Sequence, residues 1–397
     1  MKISIGELIV VIFFLSFIFL FSIWSVVKGD ETNSVIENRK LDQRPDATLN
    51  NVLSGEYFKR FESYYNDQFP LRSEWIETKN TFEKTVFQQN LINSTFVHDD
   101  GYLIPTLVTN ENNLKPENIA ERINSFASNI KNKDVDIFFA LAPNKTTMME
   151  HKLPDYISSE ANKLSDQLIK ELLNIGKIKT VDLRDAIKPH LVEKNLYFYT
   201  DHHWKPKAAF YGYRTIISKI QESNDILNPL SINDFSWEES NVKFLGSDAR
   251  NTTESYVKYP DTVTIAKPKF EEKKLEICYR GNCNRSFYDY RYLELPDKYT
   301  NRYKVYFSGD VPEGIIRNPN VSNDHKLLIL KDSYANTMIQ FLARNYSETR
   351  ILDMRHYDKK SVYQYIEDNN ITEVLFLHNI NSLVTTPSLT NFNNTSK

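Results

Sequence analysis

The sequence predicts an α/β fold built on a five-stranded parallel sheet, preceded by an apolar helix of membrane-crossing length. Three observations carry this expectation. Short strand-like runs alternate with stretches of helical spacing, in the first half of the chain and again near its end, which is the pattern of a sheet sandwiched between helices. The run at 135–141 is apolar enough for a strand covered on both faces. Residues 8–27 carry no charge and are long enough to span a bilayer as a helix.

Taken in order, the apolar run comes first. No small-residue cleavage motif follows it, so it reads as an uncleaved signal anchor. Lys2 before it and Lys28, Asp30 and Glu31 after it favour a cytoplasmic N-terminus, with the body outside the membrane. The expected organisation is a cytoplasmic tip and anchor (1–30), a polar linker (31–50), the first part of a catalytic-type domain (51–220), a loop-rich or β insertion (221–324), the second part of the domain (325–390) and a tail (391–397). Residues 57–87 read as helical, broken at Pro70, with Asp67 and Arg72 expected to pair across the break. Residues 98–104 read as a turn entering a short strand.

The periodic core follows. Pro116 opens a helix with Ile119, Ile123, Phe126 and Ile130 at helical spacing. After strand 135–141, a second helix carries Leu164, Leu168, Leu172 and Ile175 and stops at Gly176. Strand 178–183 comes next, then a helix opened by Pro206 with Ala209, Tyr213, Ile216 and Ile220 on one face. Over 221–324 the alternation fails. It resumes with strand 327–330, helix 337–344, strand 350–353, helix 361–368 and strand 372–377, and a polar tail from Asn379 is expected to fray.

Composition narrows the function classes. A net charge of −3 with 25% charged residues gives no footprint for nucleic acid or another polyanion. Only 10 glycines, none in a glycine-rich loop motif, argue against a nucleotide-phosphate cradle. An aromatic content of 13% fits a sugar-facing cleft and equally an ordinary core. Cys278 and Cys283 bracket a turn-like insert; outside the cytosol they form a local disulfide, inside it two thiols, and two cysteines alone are too few for a metal site.

The chemistry-bearing residues gather at Asp201, His202, His203 and Trp204, and at Lys331, Asp332, Ser333 and Tyr334. A serine hydroxyl is a weak nucleophile at neutral pH and needs a base within hydrogen-bond reach, itself oriented by a third group. Asp201 and His203, two apart, lean the same way in an extended segment. Ser333 follows a strand and opens a helix, where backbone N–H groups face a cleft and receive an oxyanion; an alternative role for it is a helix cap. Asn379, after strand 372–377, is a candidate oxyanion donor. Tyr334 and Arg355 are candidate substrate contacts, a strand-end salt bridge being the alternative for Arg355. Trp204 stacks on a sugar or packs beneath the site. A metal reading of Asp201, His202 and His203 is disfavoured, because adjacent residues of an extended chain point to opposite faces.

The Asp201-His-His-Trp204 segment, taken with Leu330-Lys-Asp-Ser-Tyr-Ala-Asn336, resembles the bacterial DHHW protein family, which is similar to the alginate O-acetylation proteins with an SGNH-hydrolase-like domain. Gly101-Tyr-Leu103 and Pro143-Asn-Lys145 resemble softer family features. The resemblance implies a permuted SGNH-hydrolase-like three-layer sandwich, with the Asp–His pair ahead of the nucleophile and the strands at 327, 350 and 372 as the first three of the sheet. It departs from the SGNH pattern in two places: Lys331 stands where a glycine precedes Asp-Ser, and Met354 and Arg355 stand where a second glycine is expected. The implied function is a membrane-anchored, extracytoplasmic O-acetyltransferase acting on a cell-surface polysaccharide. A membrane-bound O-acyltransferase would be its acetyl-donor partner, and no metal or organic cofactor is called for. Rivals are a carbohydrate esterase of the same fold and a non-catalytic glycan-binding or scaffold component; a DHH-type metal phosphoesterase conflicts with the anchor.

Overall fold

A computed structural model describes residues 4–37, 39–132, 134–193, 195–223 and 228–393. Lys2, the stretch 224–227 of the expected insertion, and tail residues 394–397 lie outside the described residues. The chain divides into two compact units, one of residues 1–89 with 250–256, the other of 90–249 with 257–397.

The first unit begins with helix Ile5–Val27, capped by Ser4, whose hydroxyl accepts from the Glu7 amide. It is long and apolar enough to cross a membrane. Its second half lays Phe17 and Phe21 against Trp75, and Phe21 stacks on Phe69 at 5.7 Å. The expected linker 31–50 instead holds a two-strand ladder, Asn33–Ser34 with Arg39–Lys40, and the start of helix Leu49–Leu53. The break at Pro70 separates helices Glu56–Asp67 and Arg72–Phe87. Asp67 and Arg72 do not pair across it. The ladder intervenes: Asp67 takes Arg39 at 2.6 Å, and Arg72 takes Glu37 at 2.6 Å.

The second unit is built on a seven-stranded sheet. In chain order the strands are β1 (Asp136–Leu141), β2 (Lys179–Asp182), β3 (Glu276–Tyr279), β4 (Glu313–Arg317), β5 (Lys326–Lys331), β6 (Glu348–Leu352) and β7 (Glu373–His378). They lie in the order β3-β4-β6-β5-β7-β1-β2. The five strands read from the sequence, β6-β5-β7-β1-β2, are all parallel. The sheet is wider than the five expected strands, because β3 and β4 extend it antiparallel at the β6 edge. Both come from the 221–324 stretch, which also forms the hairpin Phe235–Phe244 with Asp261–Pro268.

One core lies on each face of the sheet. On one side the helix Pro206–Gln221 buries Ala209, Tyr213, Ile216 and Ile220; on the other the helices Pro116–Asn129 and Ala161–Ile175 bury Ile119, Ile123, Leu164, Leu168 and Leu172. Gly176 ends its helix at φ +70°, a conformation open to glycine without strain. The tail does not fray through 393: Asn379 caps helix Ile380–Thr385, and Leu389 and Phe392 are buried in the second core. Cys278 and Cys283 form a disulfide.

Candidate active site

β5 is flanked on both sides by parallel neighbours, so its C-terminal end opens at the point where the chain reverses direction across the sheet, a position that collects ligands in open α/β sheets. Asp332 caps the short helix Ser333–Thr337 that follows. One of its oxygens accepts from the Tyr334 amide at 2.9 Å; the other accepts from the Asn379 backbone at 2.8 Å and its side chain at 2.7 Å. A single buried carboxylate thus ties the turn after β5 to the turn after β7. Ser333, left at the helix start, is half-buried.

The partner segment arrives from a loop rather than a strand end. Helical turns Arg184–Ile187 and Lys188–His190 separate it from β2, and the bridge between Tyr197 and Trp204 closes it. Asp201 Oδ1 accepts from the His203 backbone at 3.1 Å and lies 2.6 Å from His203 Nδ1. His203 Nε2 lies 2.8 Å from Ser333 Oγ. The acid, the imidazole and the alcohol therefore form one hydrogen-bonded line, with the acid and imidazole buried.

Four further groups fix that line. Tyr303 stacks on the His203 ring at 3.6 Å and 7°, while its hydroxyl donates to the Ser333 carbonyl at 2.8 Å. The Ser247 amide donates to the second Asp201 oxygen at 3.1 Å. Lys145, wholly buried, donates to the carbonyls of Phe198, Tyr199 and Asp201 and pairs with Asp248 at 2.5 Å. Gly246 packs against Asp201 so closely that a Cβ would lie 2.3 Å from the Asp201 Cβ.

Electrostatics follow from burial. Burial penalises the Asp201 charge, yet the His203 ring, His202 and the Ser247 amide together hold its carboxyl well below the usual range. Burial, with His202 adding to it, pushes the His203 imidazole down to about 4 against the pull of Asp201. At neutral pH His203 is an unprotonated ring oriented by a carboxylate, the state a general base requires.

The model of the DHHW protein family matches residues 157–352, a span that includes Asp201, His203 and Ser333. Over that span the chain is similar to the DHHW family. Among solved structures, Bacillus cereus PatB1 with a sulfonyl adduct is 28% identical, over 75% of this chain and 97% of that one, with a TM-score of 0.61. A DHHW family protein from Eubacterium siraeum is 24% identical, over 77% and 97%, also at 0.61. The O-acetyltransferase domain of Pseudomonas putida AlgJ aligns at 13% identity over 73% and 92%, with a TM-score of 0.44. No curated protein matches the chain.

The candidate site residues sort into two groups. Ser333, His203 and Asp201 come together. Asn379, Tyr334 and Trp204 are support rather than substrate contacts. The Asn379 amide is committed to Asp332 and, at 2.7 Å, to Ser382 Oγ, so it is not aimed at an oxyanion. Tyr334 is fully buried, its hydroxyl donating to the His202 carbonyl. Trp204 is fully buried and donates Nε1–H to the Tyr334 carbonyl at 2.8 Å, so it packs beneath the site and stacks on no sugar. Arg355 is gripped by Asp353 at 2.6 Å and Asp310 at 3.0 Å, the salt-bridge role. Lys331, where SGNH patterns place glycine, is a buried cation shared by Asp310 at 2.9 Å and Asn336 at 2.7 Å.

His202 departs most from expectation. The chain bends through the DHHW motif, so the two imidazoles stack 3.8 Å apart on one side instead of diverging. Donor atoms of Asp201, His202 and His203 accordingly lie within 4.8 Å of one another, but hydrogen bonds occupy both His203 nitrogens and His202 Nδ1. Tyr303, Gly246, Ser247 and Lys145 carried no sequence signal for their roles beyond the Pro143-Asn-Lys145 resemblance.

Proposed function

We propose that this protein is a membrane-anchored O-acetyltransferase whose nucleophile is Ser333. The observation that carries the reading is the line Asp201–His203–Ser333, with bonds of 2.6 Å and 2.8 Å. His203 takes the Ser333 proton as Oγ attacks the donor acetyl carbonyl, and returns it to the leaving group. In the second half a sugar hydroxyl attacks the acetyl-serine, giving its proton to His203; the Oγ–acyl bond breaks and Ser333 recovers its proton. The Ser333 amide has no protein acceptor among the described residues, which suits it to receive the oxyanion.

Two comparisons support the reading. A sulfonyl group is an electrophile held by an activated nucleophile, and a PatB1 structure carries a sulfonyl adduct. Counted from β5, the parallel strands run 2-1-3-4-5, which fits a permuted SGNH-type sheet whose nucleophile follows its first strand. The apolar helix would hold the domain on the extracytoplasmic face, with a membrane-bound acyltransferase supplying acetyl groups and a cell-surface polysaccharide accepting them. An activated acetyl ester offered with and without a glycan acceptor tests this: transfer to the glycan supports it, and hydrolysis alone replaces it with the esterase.

A further inference from the structure

The line of three uses one imidazole of the stacked pair. His202 is half-buried, and its Nδ1 lies 2.6 Å from Ser247 Oγ. Ser247 Oγ lies 3.4 Å from Asp248 Oδ1, an acceptor, so its own proton goes there and it accepts from His202 Nδ1–H. That tautomer leaves His202 Nε2 as a bare acceptor, and among the described residues no protein donor meets it. Ser247 also donates its amide to Asp201, the group that anchors His203 Nδ1. Both rings are therefore moored by Nδ1 to the same Asp201–Ser247 corner and stacked at 3.8 Å with 34° between planes. The His202 ring thus lies directly against the imidazole whose Nε2 meets Ser333.

Two adjacent imidazoles, one of them at the nucleophile and each with an acceptor nitrogen, match two neighbouring hydroxyls. Resting on the acetyltransferase reading above, we infer that His202 is the acceptor-binding residue and that the acceptor is a vicinal diol, not an isolated alcohol. One hydroxyl gives its proton to His203 and attacks the acetyl carbon. The adjacent hydroxyl donates a hydrogen bond to His202 Nε2 and remains unchanged. The carbon–oxygen bond to the acceptor forms as the bond to Ser333 Oγ breaks, and the proton held by His203 passes to Oγ. Bonds and protons balance without any further reagent.

The test uses the full-length protein in detergent, acetylated with p-nitrophenyl acetate, then partitioned between cis-1,2-cyclohexanediol and cyclohexanol. The ratio of the two acetate esters is read from the acyl-enzyme alone, so acylation rate does not enter it. One neutral hydrogen bond predicts a diol preference of about five- to tenfold per hydroxyl in the wild type. His202→Phe, which keeps a stacking ring without nitrogen, should bring the ratio to about one; His202→Gln, which returns an acceptor oxygen, should restore at least half of the preference. No preference in the wild type, or a preference that survives in His202→Phe, overturns the inference while leaving the serine chemistry intact. Failure to form any acetyl-serine overturns the underlying reading instead.

Discussion

Replacing Gly246 by alanine should disable the site from outside the line of reacting groups. The new Cβ would sit 2.3 Å from the Asp201 Cβ and 2.7 Å from both its Cα and its Oδ2. Carbon atoms in contact rest at about 3.5–4.0 Å, so the overlap exceeds roughly 1 Å and cannot be absorbed by rotating a flexible side chain. Asp201 has nowhere to retreat, since its carbonyl is held by Lys145 and its carboxylate by His203 and Ser247. Overpacking of this kind costs about 1–3 kcal/mol of stability, a loss of a few degrees in Tm. A displacement of about 1 Å in the group that orients the base costs on the order of 100-fold in rate. The assay is the rate of serine acetylation by an activated ester, with Tm on the same sample. Wild-type acetylation in a folded Gly246→Ala protein would refute the packing argument and, with it, the claim that Asp201 must be held in place.

Further outcomes follow from the same geometry. The active form carries neutral His203, so kcat/KM should rise with pH through the His203 pKa, with its acid limb well below the ordinary histidine value of about 6.5. Because His202 lowers that pKa, His202→Gln should move the limb upward, and pH–rate profiles of both proteins check the sign. Lys145→Met leaves Asp248 and three carbonyls without a buried cation and should cost about 3–5 kcal/mol in denaturant unfolding; adding Asp248→Asn should recover part of that loss.

Much of this arrangement is legible in the sequence because it rests on local signals. Apolar strands ending in polar residues mark β1, β5 and β7, and the Asp201–His203 spacing survives even though the chain bends there: one carboxylate oxygen receives both the His203 backbone and its ring. What stayed hidden depends on tertiary approach. Strands β3 and β4 are short, lack crossover helices and join the sheet antiparallel at its edge, so they leave no α/β alternation to read. Tyr303, Gly246 and Ser247 lie in that same stretch, and nothing local says that they close over the histidine. Asn379 and Trp204 look like site residues because they border the motifs, whereas their polar atoms are consumed in holding the two turns together.

The most direct measurement is the intact mass of the protein after exposure to an activated acetyl ester. One acetyl group should appear on the wild type, map to the peptide containing Ser333, and be absent from Ser333→Ala. An acetyl group retained in that variant, or none on the wild-type protein across the neutral pH range, would contradict the acyl-serine account.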